Sequence, residues 1–168
     1  LGTAGDVNGD GHSDVIIASR NYDIGSSNSN EGRVDLYLGG STPDVLPEMP
    51  SWTAVGETPL DYFGESVSTA GDVDGDGFDD FLVGEVNYPS ADGGAYLYRG
   101  SSSGLPTAPW HIETVQAGAR MGAWVSTAGD VNGDGYSDVL VAAGAYNHPE
   151  ESEGGVFLFL GSSTGFAS

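Results

Sequence analysis

Asp72-Val73-Asp74-Gly75-Asp76-Gly77-Phe78-Asp79-Asp80 recurs twice more in the chain, and its reading decides the fold. The first copy is Asp6-Val7-Asn8-Gly9-Asp10-Gly11-His12-Ser13-Asp14, and the third is Asp130-Val131-Asn132-Gly133-Asp134-Gly135-Tyr136-Ser137-Asp138. Each copy sets oxygen side chains at loop positions 1, 3, 5 and 9, with glycine at positions 4 and 6. The candidate ligands are Asp6, Asn8, Asp10 and Asp14, then Asp72, Asp74, Asp76 and Asp80, then Asp130, Asn132, Asp134 and Asp138. Oxygen ligands on alternate residues suit a hard cation, and Ca²⁺ takes roughly 6 to 8 oxygens. Glycine at position 6 permits the positive φ of a sharp turn, which folds the carboxylates inward.

The rest of the loop separates it from an EF-hand, which needs a bidentate Glu at position 12 and flanking helices. Position 12 here is Ile17, Val83 or Val141, and the closing carboxylate sits at position 9 instead. A dockerin-type or thrombospondin-type loop fails the same test. Each loop runs into a short apolar segment: Val15-Ile16-Ile17-Ala18, Phe81-Leu82-Val83-Gly84 or Val139-Leu140-Val141-Ala142. These read as buried strands. Metal-free Asp/Asn/Gly turns would gather three or four carboxylates in each loop. Like charges that close repel strongly unless a cation lies between them. The expectation is three Ca²⁺ sites, one per copy.

Composition narrows the function classes. The chain has 168 residues, enough for one domain with a real core. Four Arg and no Lys stand against 25 acids, a formal charge of −21. Three divalent cations would leave −15, still strongly acidic. Nucleic acid is an improbable partner, because phosphate binding needs clustered Lys and Arg. An anionic membrane surface is disfavoured for the same reason, and no apolar run approaches a membrane span. Cysteine is absent. The chain begins at Leu1 without a signal segment, which reads as a mature piece or a fragment.

The loops start at 6, 72 and 130, and other features keep their register. Trp52 and Trp110 each stand 20 residues before their loop's first Asp, and Gly64 and Gly122 stand 8 before it. Tyr22, Tyr88 and Tyr146 each follow their loop's last Asp by 8. Within one unit four strands are expected, over 63–70, 81–85, 94–99 and 110–115. The third should be half-buried, with Tyr96 and Tyr98 on one face and Ala95 and Leu97 on the other. No stretch carries a capped helical period. Units of this length with four short strands suggest β-propeller blades.

Phe63-Gly64-Glu65-Ser66-Val67-Ser68-Thr69-Ala70-Gly71, followed by the central loop and Asp80-Phe81-Leu82-Val83-Gly84, resembles the FG-GAP repeat of integrin α-subunit propellers. The likeness covers essentially the whole chain, with Met121 in place of the Phe in the third unit. It implies an all-β chain of integrin-like β-propeller blades, about three four-stranded antiparallel units, partial or assembling. Residues 1–168 would form a single repeat domain, with units near 1–56, 57–115 and 116–168. It also implies that the position 7 carbonyl, from His12, Phe78 or Tyr136, joins the Ca²⁺ ligands. The first unit starts midway through its first strand, and the last stops before its fourth.

The expected function is a non-catalytic, calcium-binding, extracellular propeller segment used in adhesion or structural assembly. Self-association or further blades of a longer chain would cover its open edges. The alternatives are a glycan-binding module or the accessory propeller of a secreted hydrolase or lyase. A protein or glycan ligand is compatible with either. Trp52 and Trp110 should pack between blades, whereas Trp124 has Ser66 as its counterpart and is freer for a surface contact. The His12 side chain should point away from its loop. His111 and His148 show no catalytic pattern, and no Ser-His-Asp order or zinc motif is present.

Overall fold

The computed structural model describes residues 1–25, 29–41, 46–87, 92–103, 108–113 and 116–166. The chain forms three antiparallel sheets and no helix among these residues. The first sheet runs β1 (Gly2–Gly5), β2 (Asp14–Ser19), β3 (Arg33–Tyr37), β4 (Trp52–Val55) in spatial order. The second runs β5 (Ser66–Gly71), β6 (Asp80–Glu85), β7 (Gly94–Tyr98), β8 (Trp110–Glu113). The third holds β9 (Met121–Gly129), β10 (Asp138–Ala143) and β11 (Gly155–Phe159). Each acidic loop is the hairpin between a sheet's first two strands. Sequential strands pair as neighbours, the meander of an integrin-like propeller blade.

The core lies between the sheets. Period-2 alternation sends Ile16, Val34 and Leu36 of the first sheet toward the second, where they meet Phe63, Phe81, Val83 and Tyr98. Leu82, Ala95 and Leu97 point the other way, onto Met121, Val125, Val139 and Val141 of the third sheet. Phe81, Leu82 and Leu97 are fully buried, and each such side chain contributes about 1.5–3 kcal/mol of transfer free energy. β7 is therefore buried on both faces rather than one, which corrects the half-buried expectation. The central sheet is covered from either side. Trp52 packs between blades as expected, edge-on to Phe81 at 5.8 Å and to Tyr98 at 4.8 Å.

The first strand of the second unit begins at Ser66, later than the expected 63. Phe63 instead forms a parallel bridge with Gly32 of the first unit, and Met121 repeats the bridge with Gly93. The glycine that follows takes φ +85° at Gly64 and +83° at Gly122. A Cβ on Gly122 would run into the Gly94 carbonyl, so this pair locks each blade to its predecessor. The fourth strand covers Trp110–Glu113, while Thr114 and Val115 lie outside the described residues, as does Tyr88. Tyr146 packs edge-on to Phe157 at 5.1 Å, and Tyr22 lies beneath the Arg33 guanidinium at 5.3 Å.

Candidate metal centre

All three hairpins share one internal hydrogen-bond scheme. The position 1 carboxylate caps the turn: Asp72 Oδ1 accepts from Gly75 N at 2.7 Å and Asp76 N at 3.1 Å, and Oδ2 from Gly77 N at 3.0 Å. Asp130 does the same for Gly133, Asp134 and Gly135. Asp6 takes Asp10 N and Gly11 N. The position 5 carboxylate accepts the amide of position 7, as in Asp10–His12, Asp76–Phe78 and Asp134–Tyr136. The glycines at positions 4 and 6 have φ between +71° and +93°, as the turn requires.

Position 9 is the anchor. Asp14, Asp80 and Asp138 are completely buried. One oxygen of each accepts the amide of position 2: Val7 at 2.8 Å, Val73 at 2.9 Å and Val131 at 2.8 Å. The other accepts from a glycine just after the third strand: Gly39 at 2.7 Å, Gly100 at 2.9 Å and Gly161 at 2.8 Å. The carboxylate thus ties the hairpin to its own blade. Sequence reading missed these glycines, although their recurrence after 38, 99 and 160 is a readable signal.

In the second hairpin Asp72, Asp74 and Asp80 each present an oxygen, all within 4.8 Å of one another. Asp76 accepts the Phe78 amide outside that trio. Position 3 is Asn in the other two hairpins. Its amide oxygen accepts the position 5 N–H at 3.0 Å, and its Nδ2 donates to the position 5 carboxylate. An all-oxygen donor set on a closed hairpin fits a hard divalent ion and does not fit a soft one. When bound, such an ion would supply charge neutralisation. Asp72, Asp74, Asp76 and Asp80, with their counterparts, would hold it.

Neighbouring hairpins interlock. Asp6 N donates to Asp79 Oδ2 at 2.8 Å, Asp79 N to the Asp6 carbonyl at 3.1 Å, and Ser137 N to the Asp72 carbonyl at 2.8 Å. The Phe78 ring lies so close over Gly9 that a Cβ there would sit 2.8 Å from it, and Tyr136 covers Gly75 likewise at 2.7 Å. The His12 ring turns back onto its own loop, contrary to expectation, with Nδ1 3.1 Å from Asp10 Oδ1.

The carboxyls respond to these surroundings. Burial pushes Asp14 up and raises Asp80 to about 7, against the two amides that pull it down. Asn8 holds the exposed Asp10 below the usual carboxylate range, and the Gly135 amide does so for Asp130. Asp76, although exposed, is raised by partial loss of hydration and by the Asp74 and Asp72 charges. Away from the hairpins, burial and the Asp61 charge lift Glu85 to about 7. A carboxyl whose pKa is raised in the fold favours the folded state only while protonated. Stability from Asp80 and Glu85 is therefore lost as pH rises from about 4, where the unfolded groups ionise, to about 7. In EDTA the melting temperature should be higher at pH 5 than at pH 7.5. In excess Ca²⁺ that preference should shrink or reverse, because the ion favours ionised ligands.

Comparison with known proteins agrees with this architecture. The family model of the FG-GAP-like repeat matches residues 6–83 and 72–141. Integrin alpha-4 of Xenopus laevis is 31% identical over 146 residues, 83% of this chain and 14% of that protein. Integrin alpha-PS2 of Drosophila melanogaster is 40% identical over 119 residues, covering 62% of the chain and 8% of that protein. Integrin alpha-IIb of Homo sapiens is 31% identical over 144 residues, 82% of the chain and 14% of that protein. The chain thus spans about one-seventh or less of the length of these relatives. With the repeat model covering most of its residues and its hairpins built alike, the chain belongs to the FG-GAP-like repeat family.

Proposed function

We propose that this chain is a non-catalytic, calcium-stabilised propeller segment that works outside the cell in adhesion or structural assembly. The observation that carries the reading is the convergence of Asp72, Asp74 and Asp80 on one point within a closed oxygen-lined hairpin. The other two hairpins share its hydrogen bonds and supply two further sites. The ligands are the side chains at positions 1, 3, 5 and 9, completed by the carbonyls of His12, Phe78 and Tyr136. The extracellular setting follows from calcium supply, since cytosolic levels would leave sites of modest affinity empty. It also agrees with the integrin relatives. Residues 1–168 act as one repeat domain with units near 1–56, 57–115 and 116–168.

Assembly is supported by the two end faces, which differ. In the third unit Val131, Val156 and Leu158 are 53%, 67% and 48% exposed, while Val73, Ala95 and Leu97, their counterparts in the second unit, are fully buried. The outer face of the first sheet carries Arg33 in a two-pronged ion pair with Asp35, where the second sheet has Gly94 and Tyr96, alongside the apolar Ile17 and Val55. An exposed apolar face is one through which a repeat array continues. The open face takes either a further blade or a second copy. Light scattering should show the chain associating in Ca²⁺, and Val156→Asp with Leu158→Asp should return it to a monomer. A wild-type monomer at tens of micromolar would count against assembly through this face.

A glycan-binding reading has one observation in its favour. Trp124 is 75% exposed and lines a cleft of about 420 Å³ together with Arg20, Glu65, Ser66 and Ser68. An exposed ring beside polar groups can stack on a sugar. A glycan array run in Ca²⁺, with Trp124→Ala as control, separates the two readings.

A further inference from the structure

We propose that Arg99 is a positioning residue that offsets the extra carboxylate in the second hairpin's ligand set, so that positions 1, 3, 5 and 9 carry the same net charge in all three hairpins. This rests on the calcium reading above and adds a residue outside the loops. The ligand set of the first hairpin carries three carboxylates, Asp6, Asp10 and Asp14, and that of the third carries Asp130, Asp134 and Asp138. The second carries four, because Asp74 stands where the others have Asn8 and Asn132. A second exchange occurs in the same unit. The residue before the clamping glycine is Leu38 in the first unit and Leu160 in the third, but Arg99 in the second.

The two exchanged residues meet. Arg99 Nη1 donates to Asp74 Oδ2 at 3.1 Å, and the Asp74 side chain is only 7% exposed. The guanidinium lies over the Trp110 ring at 4.8 Å, which fixes its plane. Its Nε is buried with no hydrogen-bond partner, so the group is aimed at Asp74 and Trp110 rather than arranged to use every donor. In the other hairpins Asn8 and Asn132 donate to the position 5 carboxylate, at 3.1 and 2.8 Å. Asp74 has no proton to give Asp76, and the charge of Arg99 replaces that donor. Asp74 is at once a partner of Arg99 and one of the three converging carboxylates. Arg99 therefore holds the ion-free hairpin together and offsets the fourth negative charge when the ion is bound.

Arg99→Leu copies the other two units and tests the assignment. Removing a unit positive charge beside a ligand carboxylate should tighten Ca²⁺ at the second hairpin on the order of tenfold. The Gly77 amide resonance reports this site, because it donates to Asp72. The variant should melt below wild type in EDTA and close to it in saturating Ca²⁺. If Arg99 merely packed on Trp110, both melts would fall equally and the affinity would not rise. Asp74→Asn supplies a second test. Alone it leaves the guanidinium without its carboxylate, so Ca²⁺ should bind more weakly than in Asp74→Asn with Arg99→Leu. Equal affinities in those two variants, or no tightening in Arg99→Leu, would overturn the proposal. Failure of wild-type protein to bind Ca²⁺ would instead remove the calcium reading itself.

Discussion

Removing divalent cations with EDTA should lower the melting temperature by more than about 10 °C. Ion binding to the folded state alone contributes about 2.7 kcal/mol per site when calcium stands at a hundred times its dissociation constant. A chain of this size shifts by about 2–4 °C for each kcal/mol, so three sites give a loss well outside error. The loss has a structural cause beyond mass action. Asp72, Asp74 and Asp80 then converge without a counter-ion, and neighbouring hairpins bond through Asp79 and Ser137. Opening one hairpin therefore loosens the next. The effect should resist moderate salt, because the converging carboxylates lie closer together than the screening length of about 8 Å at 0.15 M. Scanning fluorimetry in Ca²⁺, in EDTA and after calcium is restored checks it, and an irreversible or absent shift would contradict it.

Asp80→Ala should destabilise the protein by about 4–6 kcal/mol in calcium. The substitution removes the acceptor for Val73 N and Gly100 N, and an unsatisfied buried amide costs about 1–3 kcal/mol. It also deletes a proposed ligand of the second hairpin. Asp76→Ala makes the contrast, because Asp76 is exposed and bonds only the Phe78 amide within its own turn. In EDTA, Asp76→Ala should be nearly neutral, whereas Asp80→Ala should still cost several kcal/mol through its two orphaned amides. Denaturant titrations of the four combinations of variant and condition settle it. Equal costs for the two variants in EDTA would show that position 9 is a ligand and nothing more.

Much of the fold was legible because its signals are local. The nine-residue loops, the β-branched runs after them and the Gly-Trp register each depend on neighbours in sequence, and the structure places hairpins and strands there. What the sequence hid lies between blades. Tyr96 and Tyr98 look like a half-wet face, but the first sheet covers that face and the third covers Ala95 and Leu97. Hydroxyl-bearing rings at a blade interface give no mark that separates them from a solvated edge. Phe63 resembled the start of a strand, yet its apolar side chain and the positive φ of Gly64 serve to join blades. His12 turned inward because position 5 offers an acceptor two residues away. Arg99 escaped notice because its meaning depends on a contact 25 residues upstream.

Equilibrium dialysis of EDTA-stripped protein against radiolabelled calcium counts the bound ions directly. Saturation near three ions per chain, falling by one in Asp80→Ala, is the predicted result. Saturation near zero in folded wild-type protein would mean that the acidic hairpins close on their own amides and carry no ion.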